Sequence, residues 1–342
     1  MNLNKWFKGL IVLFVILSIT ACSSNTPTDG NSSDESGVSE RTFTFATTND
    51  DSGIDAKIKE KFGELVSEKS NGKMTVDFFM GGQLGGEKEA LEQMKLGELD
   101  MGYNIVHADL YFEEYNIAML PYFFSDFESI ERFMEGPIGD KIKEATREEG
   151  GVVQLGIHSN GPRWTTSNRA FSTPEEMEGL KIRMPEIPWW VEVYKSMGAL
   201  PTPIAATEIV TALKTGTVDA QENFLSNIAG RRMWEYQKYL MPTKHLDAFQ
   251  YWLMSEKTWE SLNEEEQRII KESVKETTEY VKTIVEEMNQ KFVETSIENG
   301  LELVEVDREA FIEAAREANK KIIERDLAPG VYEAAIKAIE NK

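Results

Sequence analysis

The chain has 342 residues, enough to bury two separate cores, and its 41% hydrophobic and 28% charged content is that of a soluble globular protein. A formal charge of -22 without any basic patch excludes nucleic acid as a partner and argues against electrostatic adhesion to anionic membrane surfaces. The single cysteine excludes an intramolecular disulfide.

The amino terminus carries a sorting signal. Lys5 and Lys8 precede the apolar run Leu10 to Leu17, which falls short of the roughly 20 residues of a membrane span. Ser18-Ile19-Thr20-Ala21-Cys22 follows, so residues 1–21 read as a secretory signal peptide. The placement of Cys22 resembles a bacterial lipobox, which implies a diacylated first residue. Cleavage there removes Lys5 and Lys8 and no acid, taking the charge from -22 to -24. Residues 22–40 are rich in Ser, Asn, Asp, Gly and Thr and read as a disordered tether.

Alternation makes Thr42 to Thr47 the first strand, and a helix follows with Ile54, Ile58, Phe62, Leu65 and Val66 on one face. Asn71-Gly72 stops it. Met74 to Phe79 is a strand, Gly81 to Gly86 a loop, Glu87 to Leu96 a helix and Met101 to Val106 a strand. This β-α-β-α-β order predicts a parallel sheet covered by helices. Ile117 to Phe124 reads as a buried connection broken by Pro121, and Asp126 caps a helix carrying Ile130, Phe133 and Met134. Gly151 to His158 is a strand that ends in the turn Ser159-Asn160-Gly161-Pro162, where a domain crossover is expected. Thr173-Pro174-Glu175-Glu176 opens a short helix leading to the strand Leu180 to Met184. Pro188 enters a helix that runs to about Met197. Leu200 to Ile204 is extended, Glu208 to Lys214 helical, and Val218 to Phe224 a strand with a polar end. Phe249 to Ser255 is a return strand. Asn263 and Glu266 form a capping box for a long helix reaching Asn299-Gly300, roughly 50 Å at 1.5 Å per residue. Leu301 to Val306 alternates as a strand, and helices finish the chain.

Little in this pattern supports catalysis. No Gly-x-Ser-x-Gly elbow, His-Glu-x-x-His, paired-cysteine or calcium-loop pattern occurs, so neither an enzyme nor a metal or other cofactor is expected. His107, His158 and His245 are far apart in sequence. The glycine loop lacks a phosphate-binding signature, and Glu87 places negative charge where a phosphate would sit, so loop geometry or the lip of a ligand cleft is the better reading. Arginines near strand ends are the stronger signal. A buried Arg183 on the strand Leu180 to Met184 requires an anion, and its planar fork suits a carboxylate of the protein or of a ligand. Arg163 and Asn223 occupy comparable places, with Trp164 and Trp189 nearby either to wall a ligand or to pack in the core.

Gly161-Pro162-Arg163, Thr166-Ser167-Asn168-Arg169 and Gly179 to Pro185 together resemble the DctP-type solute-binding proteins of TRAP (tripartite ATP-independent periplasmic) transporters. Gln83-Leu84-Gly85-Gly86, Gly97-Glu98-Leu99-Asp100, Pro201-Thr202-Pro203 and Val218 to Asn223 continue the resemblance in the family's order, from about Thr42 to Leu327. It implies an α/β, periplasmic-binding-protein-like fold: two α/β domains around a cleft, with a long helix spanning both. On this reading residues 41–160 and 249–288 form domain I, and 161–248 and 289–342 form domain II. It also implies that Arg183 is the principal carboxylate-pairing arginine, Arg163 an auxiliary one and Asn223 a polar contact. Thr48 or Asn49 and Glu87 match ligand contacts from the first domain, and Trp164 is a further candidate beside them. Sialic-acid-binding members carry an acid where this chain aligns Ile105 and a phenylalanine where it aligns Ala206. The expected ligand is therefore a C4-dicarboxylate or a sugar acid.

The resulting expectation is a lipid-anchored protein at the outer face of the membrane that delivers an organic acid to TRAP permease subunits. The alternatives are the binding component of another transporter or chemosensory system, and an extracytoplasmic carboxylate-dependent hydrolase or lyase.

Overall fold

Alternating strands and helices build two sheets in the computed structural model, which describes residues 37–105 and 111–341. The signal peptide, Cys22, most of the tether, Val106 and His107 lie outside the described residues. The first sheet contains β1 (Arg41–Ala46), β2 (Met74–Phe79), β3 (Met101–Asn104), β4 (Val152–Ser159) and β10 (Phe249–Ser255), in the order β2-β1-β3-β10-β4. The second contains β5 (Arg163–Ser167), β6 (Lys181–Met184), β7 (Leu200–Pro203), β8 (Ala220–Phe224), β9 (Tyr239–Met241) and β11 (Glu302–Leu303), in the order β11-β9-β5-β8-β6-β7.

β1, β2 and β3 are parallel, as the β-α-β-α-β order requires. The first sheet as a whole is mixed, however, because β10 runs antiparallel to both β3 and β4. β10 arrives from the second lobe rather than through a crossover helix, which reverses its direction. Under this sheet the helix Gly53–Lys69 places Ile54, Ile58, Phe62 and Val66 against Phe43, Phe45 and Trp252, one stripe at i, i+4 spacing. Phe62 and Trp252 meet with ring centroids 5.0 Å apart. The helix ends where Asn71 and Gly72 adopt positive φ.

The chain crosses between the sheets three times. β4 runs through 160–162 into β5, β9 returns through 242–248 to β10, and the helix Glu264–Glu298 leads to β11. Asn263 caps that helix by accepting from the backbone N–H of Glu265 and Glu266, while Glu266 accepts from the N–H of Asn263 at 3.0 Å. Its 35 residues span about 52 Å. Ile269, Ile270, Val274 and Val281 pack in the first lobe's core, and Phe292 and Val293 reach a second core containing Trp164, Ile228 and Leu240. The helix is thus a brace across both lobes.

Three local differences from the sequence reading have physical causes. The predicted strand over 301–306 is only β11, because its parallel partner β9 is three residues long. The helix through Arg308–Asp326 packs on Pro188–Ser196 in the second lobe, whereas Val331–Glu340 returns to pack on Phe127–Met134 beside the first. The segment after Glu175 is a single 3-10 turn, Glu175–Met177, held to Pro174 by one backbone bond.

Candidate functional site

Where β5 begins and β6 and β8 end, the second lobe faces the loops after β1 and β3 of the first. Thr48, Asn49, Glu87, Ile105, Arg163, Arg183, Pro185, Ala206, Asn223, Asn227 and Gln250 line one small cavity there, of about 20 Å3. The structure therefore brings six of the seven sequence-predicted ligand residues together. Trp164 is the exception. It follows Arg163 on a strand, so it projects from the opposite face and packs with Leu213, Leu225 and Ile228. Its ring also borders a separate groove along the long helix. Trp189 lies in the core, with Nε1 donating to Asp326 at 3.0 Å.

The two arginines differ in their partners. Register places Arg163 opposite Phe224 and Glu222 opposite Thr165, so both side chains leave the same face of the sheet. Arg163 Nε donates to Glu222 Oε2 at 2.5 Å, and Nη2 to Oε1 at 3.0 Å, a bidentate pair buried on both sides. The guanidinium carbon lies 4.7 Å from the Phe224 ring and 5.2 Å from that of Trp190. His245 Nε2 lies 2.9 Å from Glu222 Oε2, and His245 Nδ1 3.1 Å from the Thr243 hydroxyl. Burial pulls the His245 pKa down, against the pull of Glu222; beside the acceptor-only Glu222 carboxylate, Nε2 is the nitrogen that carries a proton to donate. Burial alone would raise the Glu222 pKa, but Arg163 and the His245 bond outweigh it and hold the carboxyl at about 2.

Arg183 is less fully paired. Its Nε donates to the Ile204 carbonyl at 2.8 Å, while Nη1 stands 3.8 Å from Glu222 Oε1, beyond hydrogen-bond reach. The sequence shows no dedicated carboxylate for Arg183. The structure supplies one at a distance that is already committed to Arg163. Burial lowers the Arg183 pKa, Glu222 opposes that, and Arg163 and Arg231 reinforce it, bringing it down to about 9. The group stays cationic at neutral pH, with its terminal nitrogens on the cavity and no acceptor in range among the described residues.

The first lobe contributes acceptors. Glu87 opens the helix Glu87–Leu96 and takes the Ile105 N–H at 3.5 Å. Burial raises its pKa, and Arg183 opposes that rise. Asn49 is already engaged: its amide donates to Asp55 at 2.7 Å, and its carbonyl accepts from Asn227 at 3.2 Å. The Thr48 carbonyl accepts from Arg231 Nη2 at 2.8 Å. Arg231 also meets Asp50 Oδ2 at 3.0 Å and the Ala206 carbonyl at 2.7 Å, tying the lobes together. The glycine loop forms the cleft's lip, since a Cβ on Gly82 would lie 2.5 Å from Thr207 Cγ2 across the mouth.

Glu222, His245, Arg231, Asn227 and Gln250 are the participants that sequence reasoning missed. Glu222 was legible only as part of the motif ending at Asn223. His245 is distant from its partners in sequence. Arg231 follows the six-residue helix Leu225–Gly230, whose signal is weak.

Two α/β lobes closed on a polar cavity, joined by two strand crossings and one bracing helix, define a periplasmic-binding-protein-like fold. Residues 45–326 match bacterial extracellular solute-binding protein family 7 (DctP), and the chain belongs to that family. A solute-binding protein of Roseobacter denitrificans is 30% identical over 272 residues, covering 79% of this chain and 83% of the relative. The sialic acid-binding periplasmic protein of Vibrio cholerae is 30% identical over 259 residues, covering 75% of this chain and 81% of the relative. A crystal structure of a TRAP periplasmic solute-binding protein from Roseobacter denitrificans, with bound L-galactonate, superposes with a TM-score of 0.81 at 27% identity. The match covers 89% of this chain and all of that one. These relatives are substrate-binding proteins of transporters and not enzymes. The family is extracellular, and no helix among the described residues is long and apolar enough to cross a membrane.

Proposed function

We propose that this protein captures an organic acid by pairing the ligand carboxylate with Arg183 and delivers it to TRAP permease subunits. The observation that carries the reading is a buried guanidinium facing the cavity, whose terminal nitrogens have no hydrogen bond among the described residues and only a 3.8 Å approach to Glu222. An incoming carboxylate supplies the two acceptors that the fold withholds. Arg163, neutralised by Glu222 and held between two rings, fixes the cavity wall. Asn223, with its carbonyl accepting from Asn227 at 3.0 Å, positions that amide beside the ligand.

Residues 41–160 with 249–288, and 161–248 with 289–342, act as the two domains; the separate sheets support that division, although Val331–Glu340 packs back beside the first domain. Binding closes them about the three crossings, and Arg231 latches the closed form. Thr48 and Asn49 serve closure through Arg231 and Asn227, while Glu87 faces the ligand directly. Ile105 and Ala206 line the cavity, which favours a ligand other than sialic acid. Processing at Cys22 tethers the protein to the outer face of the membrane. Labelling with a radioactive fatty acid tests this, and Cys22→Ala abolishes incorporation if the reading is right.

The deciding experiment is calorimetric titration with dicarboxylates and sugar acids. Arg183→Ala should cost about 2–5 kcal/mol of binding, as expected on removing one partner of a buried charge pair. Unchanged affinity in that variant refutes the assignment. Uptake by membranes containing the permease subunits, absent without this protein, tests delivery.

A further inference from the structure

We infer that this protein selects monocarboxylates bearing several hydroxyl groups and rejects dicarboxylates, with Glu87 as the discriminating residue. The inference rests on the organic-acid reading above and narrows it. The charges facing the cavity are nearly all committed. Arg163 is neutralised by Glu222, and Arg231 pairs with Asp50 at 3.0 Å. Arg183 is left among the described cations to take a carboxylate. Opposite it stands Glu87, the one residue that lines the cavity, the adjoining space behind it and the mouth in front of it. Besides Arg183 itself, the mouth has one cation among the described residues, Lys88, which is paired with Glu186 at 2.9 Å, and Glu89 and Glu208 flank it.

The orphaned polar atoms point the same way. Asn227 and Gln250 line the cavity and Asn104 the space behind it, and Asn227 Oδ1, Asn104 Oδ1 and Gln250 Nε2 are each buried without a hydrogen-bond partner. With Glu87, that makes three acceptor groups and one donor. Hydroxyl groups satisfy such a set because each can donate and accept. A second carboxylate only accepts, so it would meet Glu87 and two amide oxygens with nothing to offer them. Burial raises the Glu87 pKa, consistent with a carboxylate short of donors.

Matched pairs test this, each sharing a carbon chain and differing only in whether the far end is an alcohol or a carboxylate. Galactonate with galactarate, gluconate with glucarate, and threonate with tartrate serve, with succinate added, all titrated calorimetrically against wild type, Glu87→Gln and Glu87→Ala. In wild type the best-bound aldonate should bind at least tenfold tighter than its diacid, about 1.4 kcal/mol. Glu87→Gln should weaken the aldonate several-fold and strengthen the diacid, and Glu87→Ala should also narrow the gap. A misfolded variant cannot give these opposite signs. Wild-type preference for a diacid or for succinate overturns the inference while leaving the organic-acid reading standing. A gap unchanged in both variants overturns the role of Glu87. Binding of no acid at all removes both readings together.

Discussion

Arg231 makes a quantitative claim about closure. Of its three hydrogen bonds, those to Asp50 and to the Thr48 carbonyl cross from the second lobe to the first, while the bond to Ala206 stays within the second. Only the crossing pair distinguishes closed from open. Bonds to charged groups contribute about 1.5–3 kcal/mol each, but the Asp50 side chain is 30% exposed and both groups regain water on opening. After that discount, roughly 2 kcal/mol favours the closed form. Arg231→Ala should therefore shift the closed-to-open ratio about 30-fold towards open, and affinity should fall by the same factor through faster dissociation. Stopped-flow release and calorimetry measure the loss, and spin labels on the two lobes read the opening. Thermal stability without ligand should stay within a few degrees, because the contact is absent from the open form. An affinity within twofold of wild type, or a loss matched by a comparable drop in ligand-free stability, refutes the latch.

Other outcomes follow from single contacts. Arg183→Lys should recover only part of the affinity lost in Arg183→Ala, since an ammonium cannot offer the planar fork; titration of both variants measures this. Trp164→Phe should leave ligand affinity unchanged within twofold, because the ring faces away from the cavity. Gly82→Val should hinder closure and weaken binding, because Thr207 occupies the space its side chain needs; the spin labels should report a more open resting form. The depressed Glu222 pKa stabilises the fold fully above about 4.5 and is lost as pH falls towards about 2, roughly 3 kcal/mol in all. Glu222→Gln should be less stable at neutral pH and should show a shallower acid limb in denaturant titrations between those values.

Much of the fold was legible because its signals are local. The stripe from Ile54 to Val66, the Asp126 cap and the Asn263–Glu266 box each depend on residues within one or two helical turns, and the structure has all three. β10 was legible as a strand, but its direction was not, since that depends on how the chain returns from the second lobe. The site divides the same way. Arg183 and Arg163 declare themselves as charges on short strands, yet nothing nearby in sequence says that Glu222 neutralises one and leaves the other exposed to a ligand. That distinction depends on strand register across 59 residues. Arg231 and Gln250 were invisible for the related reason that an isolated polar residue beside an apolar segment has many possible destinations.

The position of β10 also sets the order in which the molecule can be completed. β10 lies between β3 and β4, and among the described residues β4 has no other neighbour in its sheet. A chain emerging amino terminus first has made β1 to β4 long before residue 249, yet cannot join β4 to the others until Ser255 is available. The strands β5 to β9 of the second lobe are all present by residue 241 and pair among themselves. The strands β5 to β9 can therefore pair before the first sheet is complete, while β4 waits with both edges bare, a state prone to aggregation. A chain arrested after residue 245 should show a protease-resistant core from the carboxyl-terminal part, with cleavage concentrated upstream of Arg163.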